Sequence, residues 1–206
     1  MGYHMARGAE TKLRILDAAY ALFWRQGFVR VSMDEIAQRA KLTKRTLYQH
    51  FRSKDELMAS ALARSSELAL ARLEAFRLPV GSEAMIDSLF RQLAEWASKP
   101  RWSGAGFTRV VVELADLRGH PARAIARRHK AAVEVWLTSR LAKAGVASSR
   151  ERAREIALLM EGAMMLMLIH GDLTYAKSAA DAAKQLVRKK RDAPAPPPLA
   201  KTNATK

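Results

Sequence analysis

No cysteine occurs anywhere in the chain, which excludes disulfides, thiolate zinc sites and a thiol nucleophile in one step. Cytosol is the compartment such a composition suits. Runs of alternating β-branched residues, the signal of strands, are missing as well. The few glycines (10) and prolines (7) fall mostly at junctions between long stretches of Ala, Leu, Arg, Lys and Glu, so the expected class is all-α. The longest apolar run, Ile156 to Ile169, is too short to span a bilayer and contains Glu161, so no membrane segment is expected. The opening residues lack the apolar core of a signal peptide, and Met1 to His4 read as a cloning remnant ahead of a start at Met5. There is no glycine-rich phosphate loop and no H-E-x-x-H. His4, His50, His120, His129 and His170 lie scattered without ligand spacing, so neither a metal, a cofactor nor an enzyme is expected.

What the chain has in excess is positive charge. The formal net charge is +16, and residues 184–206 alone hold 7 basic groups against 1 acidic one, so more than a third of the excess sits in the tail. A basic balance favours polyanionic partners, nucleic acid or an acidic membrane surface. No helix combines a basic face with a bulky apolar one, which speaks against the membrane.

Caps and breaks divide the chain into nine helices. The first is expected from about Glu10 to Gln26, with Ile15, Ala19, Leu22 and Phe23 on one face and Gly27 ending it. Ser32 with Glu35 forms a capping box for a helix over Met33 to Ala40, and Thr43 caps another over Lys44 to His50. Ser53 with Glu56 reads as a second capping box, opening a long helix to about Phe76. Breaks at Leu78 to Ser82, Ser98 to Gly104, Arg118 to Pro121, Gly145 to Ser149 and Gly171 to Asp172 leave five more helices. The expected organisation is a disordered segment 1–9, a first helical unit 10–57, a second helical unit 58–191, and a disordered proline-rich basic tail 192–206.

Three helix starts crowd into some twenty residues, and their side chains suit a helix-turn-helix. Ile36, Ala37 and Ala40 form the inner stripe of a bracing helix, and Leu42, Leu47 and Phe51 supply the opposing contacts. Lys44, Arg45, Thr46, Tyr48, Gln49 and His50 are left for the outside, where cations neutralise phosphates and hydroxyl, amide and aromatic groups reach base edges. Ser32, Thr43 and Lys54 stand at helix N-termini, whose free N–H groups favour phosphate.

The segment S-M-D-E-I-A-Q-R-A-K-L-T-K-R-T-L-Y-Q-H-F-R-S-K-D-E-L, Ser32 to Leu57, resembles the DNA-binding signature of the TetR family. By position, the resemblance implies phosphate contacts from Ser32, Tyr48, His50 and Lys54, and base or mixed contacts from Lys44, Arg45, Thr46 and Gln49. It implies a homodimer on double-stranded operator DNA, and a body that shifts the reading head when a small-molecule effector binds. One residue departs from the pattern: Lys41 stands in the turn where glycine is common, and a non-glycine residue at positive φ costs on the order of 1 kcal/mol.

In the body, three apolar stripes would line a central cavity: Met85, Leu89, Leu93 and Trp96; Phe107, Val110, Val111 and Leu114; and Val133, Trp136, Leu137 and Leu141. Trp102, Glu113 and His129 are candidate polar fixtures in it, or paired and solvated groups. Aromatic content points to an apolar or aromatic effector. The helix Ile156 to His170 is apolar nearly all round and so needs cover on both sides. Ile156, Leu159, Met160, Ala163 and Met167, with Ala179, Ala183 and Leu186 of the last helix, are the expected dimer face. Arg123, Arg127, Arg128 and Lys130 read as a solvated face. The main expectation is thus a repressor released from an inverted-repeat operator by an effector. The alternatives are a regulator governed by a protein partner, and a helical ligand-binding protein or enzyme.

Overall fold

The computed structural model describes residues 2–100, 102–104 and 106–188. Among these it forms nine α-helices and no strand: α1 Gly2–Gln26, α2 Met33–Arg39, α3 Lys44–His50, α4 Lys54–Ala75, α5 Ser82–Ala97, α6 Gly106–Glu113, α7 Pro121–Lys143, α8 Ser149–His170 and α9 Thr174–Val187. The tail 192–206 expected to be disordered lies outside the described residues.

Local chemistry explains most of the boundaries. Glu35 N donates to Ser32 Oγ at 3.2 Å while Ser32 N donates to Glu35 Oε2 at 2.7 Å, so the box that opens α2 is complete. Thr46 N donates to Thr43 Oγ1 at 3.1 Å at the head of α3. The box expected at α4 is only half built: Glu56 N donates to Ser53 Oγ at 3.1 Å, but the Glu56 carboxylate accepts from Arg52 N instead. At α7 the His120 ring Nδ1 accepts from Ala122 N at 3.1 Å, and Pro121 follows at the first helical position, where its missing N–H is not needed. The start of α1 differs from expectation. It begins at Gly2 rather than near Glu10, because nothing before Glu10 breaks a helix and Gly8 costs only about 1 kcal/mol relative to alanine.

Two apolar clusters organise the packing. The first joins α1 to α3 with the start of α4 through Ile15, Phe23, Phe28, Ile36, Leu47, Phe51 and Leu57, each at most 1% exposed. It does not end at residue 57, since Phe107, Val110 and Leu114 of α6 and Ala122 and Ala126 of α7 are part of it. The second joins α5, the far half of α7, α8 and α9 around Ile86, Phe90, Leu137, Ile156 and Ala183. Burying one such Ile, Leu or Phe contributes about 1.5–3 kcal/mol. α4 packs on both α1 and α7. A displacement in the body therefore has a rigid path to α1–α3.

Candidate nucleic-acid interface and body cavity

The helix-turn-helix is held from within by Ile36, Ala37, Ala40 and Leu47, all buried, and from α1 by Arg14, whose Nη2 donates to Ala40 O at 2.7 Å. That bond satisfies a carbonyl at the open end of α2. Lys41 then turns the chain at φ 52, the left-handed region, without the freedom of glycine. Of the residues expected to read DNA, Ser32, Thr43, Lys44, Arg45, Tyr48 and Gln49 are exposed, and Thr46 and His50 are half-buried. Lys44 Nζ lies 3.0 Å from Asp34 Oδ2, and this hydrogen bond raises the lysine pKa above its ordinary value. Arg45 has no ion pair among the described residues. Lys54 Nζ donates to Val29 O at 2.6 Å, and its partial burial lowers its pKa. Lys54 thus also anchors the loop between α1 and α2.

That same loop is gripped from the body. Glu113, at the end of α6, accepts from Phe28 N at 2.7 Å and from Val29 N at 3.0 Å through one oxygen. Its other oxygen accepts from Arg109 Nε at 2.6 Å, and Arg109 Nη1 donates onward to Trp24 O at 3.1 Å. A Cβ on Gly27 would lie 2.9 Å from both Arg109 and Glu113, and Gly27 has φ 97, so the turn takes glycine for two reasons. Glu113 is therefore no pocket fixture: its carboxylate is spent on the loop. Asp55 Oδ1 of α4 also lies 3.2 Å from His120 Nε2 of α7.

Behind these contacts lies an open cavity of about 1720 Å³, walled by α1, α4, α5, α6, α7 and α8. Leu89, Leu93, Trp96, Phe107 and His129 line it, as expected from the stripes. Trp102, Val110, Glu113 and Trp136 do not. Val110 is fully buried in the first cluster, Trp136 is 5% exposed in the second, and Trp102 stands behind Trp96, ring edge to face at 5.5 Å. His129 stacks on Phe107 with ring centroids 3.7 Å apart, and its Nδ1 is 2.9 Å from Ser66 Oγ. Burial, with Lys130 beside it, holds the imidazole at a pKa of about 4 and hence uncharged near neutrality. Glu161 of α8 accepts from Thr108 Oγ1 at 2.7 Å and pairs with Lys130.

Residues 15–61 match the family model of bacterial regulatory proteins, tetR family. Along 86% of the chain and 85% of the relative, the sequence is 27% identical to the HTH-type transcriptional regulator UidR of Escherichia coli K12. The fold matches that of SAV143 of Streptomyces avermitilis MA-4680, described as a TetR transcriptional regulator, with a TM-score of 0.71 at 29% identity, over 84% of this chain and 97% of that one. It also matches the multidrug binding protein EbrR, solved with ethidium, with a TM-score of 0.68 at 24% identity, over 87% and 99%. This chain carries the DNA-binding segment of the TetR family. It is a DNA-binding transcriptional regulator and not an enzyme.

Five of the eight residues expected at a dimer face are buried inside the subunit. Ile156, Ala163 and Met167 are at most 4% exposed and Ala179 and Ala183 are buried with them, all within the cluster formed by α5, α7, α8 and α9. Leu159, Met160 and Leu186 are half-buried on the same cluster. Ile169, 62% exposed, projects outward with Met165 and Leu166, whereas Leu158, 69% exposed, lines the open cavity. The spacing of four between Met165 and Ile169 puts these on one face.

Sequence reasoning also missed the regulator's cavity wall on α1 and α4. Tyr20, Trp24, Arg72 and Phe76 line the space, yet α1 was read for its core face alone. The basic cluster on α7 divides in the same way. Arg123 Nη1 donates to the carbonyls of Leu114 and Ala115 at the end of α6, Arg127 and Lys130 line the cavity, and Arg128 is exposed.

Proposed function

We propose that this regulator is a homodimeric repressor of the cytoplasm, released from an inverted-repeat operator when a small apolar or aromatic molecule occupies the body cavity. The dimer forms through the outward faces of α8 and α9, and its two α3 helices enter successive major grooves. Lys44, Arg45, Thr46 and Gln49 supply base or mixed contacts, and Ser32, Thr43, Tyr48, His50 and Lys54 hold phosphates. The exposure of Ser32, Thr43, Lys44, Arg45, Tyr48 and Gln49, and their position beside capped helix starts, support a DNA-reading role for this surface.

The construction of α6 is the observation that carries the effector reading. Phe107, Thr108 and Val111 of α6 face the cavity, while Arg109 and Glu113 of the same helix hold Trp24, Phe28 and Val29 of the reading head. A ligand that displaces α6 by the width of a methyl group has to pull on the α1–α2 loop, so the cavity and the loop share one moving part. The effector need only bind the displaced state more tightly than the operator-bound one. Deep sequencing of genomic fragments retained by the purified protein, followed by footprinting, is expected to reveal a protected inverted repeat. Absence of any protected site overturns the reading.

A further inference from the structure

The charges around the cavity are not balanced. Eight arginine and lysine side chains line it against three carboxylates, and each carboxylate is already paired with a cation of the same wall: Asp17 with Arg64 at 3.1 Å, Glu134 with Arg154 at 3.4 Å, and Glu161 with Lys130. A cationic guest would therefore find no free carboxylate among the described lining residues. An anionic guest finds Arg25, Arg72, Arg118 and Arg127, none of which has an ion pair among the described residues. Arg72 is the best placed. It stands on α4 between Leu68 and Phe76, one helical turn from each, and its charge reaches the Tyr20 phenol, partly offsetting the upward pull of burial on that group. Tyr20 begins a row of rings in which Tyr20 to Trp24 and Trp24 to Trp96 each measure 5.9 Å between centroids. The row is an apolar wall with an unpaired guanidinium at one end.

We propose that the cavity selects an organic anion, an aromatic or apolar carboxylate whose body lies along Tyr20, Trp24 and Trp96 and whose charged group is met by Arg72. This deepens the effector reading above and rests on it. Arginine suits the task because its planar fork donates two parallel hydrogen bonds to a carboxylate.

The test is calorimetric titration of the full chain, with quenching of tryptophan fluorescence as a second readout, using 2-naphthoate, the neutral 2-naphthalenemethanol and the cation proflavin. Wild-type protein is expected to bind the carboxylate about tenfold more tightly than the alcohol, the size of one charge-assisted contact. Arg72→Gln, at an exposed site, is expected to melt as the wild type does and to bring the two compounds to within about twofold through lost affinity for the carboxylate. If the alcohol or proflavin binds as tightly as the carboxylate, or if Arg72→Gln preserves the tenfold preference, the anion inference fails and an apolar effector still stands. If none of the three binds, both fail.

Discussion

Glu113 Oε2 accepts the backbone N–H of Phe28 at 2.7 Å across 85 positions of sequence. The bond joins the last residue of the cavity-lining α6 to the loop that enters the helix-turn-helix. Its carboxylate is mostly shielded, at 20% exposure, and holds two amide N–H groups and a guanidinium. Truncation leaves these donors without an acceptor, a loss of about 2–3 kcal/mol. Glu113→Ala is expected to lower stability by that amount in urea denaturation. Glu113→Gln, which retains one acceptor oxygen, is expected to lose about half as much. In operator-binding assays either variant should respond to a cavity ligand less than wild type does, and a variant that responds in full would show that the signal travels by α4 alone.

The uncharged state of His129 carries a pH signature. Its folded pKa of about 4 lies below the ordinary value of 6.5, so between these values the unfolded chain binds a proton that the folded chain refuses. Stability then rises with pH across this window and is lost as pH falls from 6.5 towards 4, by on the order of 1–3 kcal/mol. His129→Gln, which can keep a hydrogen bond to Ser66, is expected to flatten the dependence of urea midpoint on pH between 4 and 6.5. An unchanged slope would assign the acid sensitivity to other groups.

What could be read from the sequence, and what could not, follows the range of the forces involved. Ser32 with Glu35 and Thr43 with Thr46 act within a single turn, and their helices start where those residues stand. Ser53 with Glu56 has the same spelling, but the Glu56 carboxylate goes to Arg52 N. Spacing fixes which groups can meet, and backbone geometry decides which do. Glu113 was legible as a carboxylate in the body, but its partners lie 84 and 85 positions away, and no local pattern announces them. α8 is apolar nearly all round and lacks the periodicity that would separate its buried face from its open one. Ile156 and Leu158 are equally apolar in sequence and 0% and 69% exposed in the fold.

That contrast gives a test of the proposed dimer. Met165→Glu and Ile169→Glu place a carboxylate on the open face of α8. If the face is covered by a second copy, each buries an unpaired charge at several kcal/mol. Sedimentation is expected to show the dimer dissociating at least about a hundredfold more readily, with monomer helicity retained. Met167→Ala, at a residue 2% exposed inside the subunit, is expected to lower stability by about 2–3 kcal/mol instead. Dimers that survive both glutamates would place the partner elsewhere.

Arg45 and Gln49 separate affinity from specificity on α3. Arg45 is exposed and has no ion pair among the described residues, whereas Lys44 already leans on Asp34 and Lys54 on Val29 O. Replacing either lysine would disturb the fold of the head along with the DNA contact, which makes arginine the cleaner probe. If Arg45 touches phosphate alone, Arg45→Ala is expected to weaken all sequences alike and to reduce the slope of log K against log salt by about one. If it reaches a base edge, the loss falls on one operator position and amounts to about 1–3 kcal/mol there. Gln49→Ala is expected to relax preference at a single base pair and leave the salt slope intact, because an amide releases no counterion. Binding isotherms at several salt concentrations, on the operator and on single-base variants, measure both quantities at once. A Gln49→Ala protein with unaltered preference at every position would remove that residue from the reading surface.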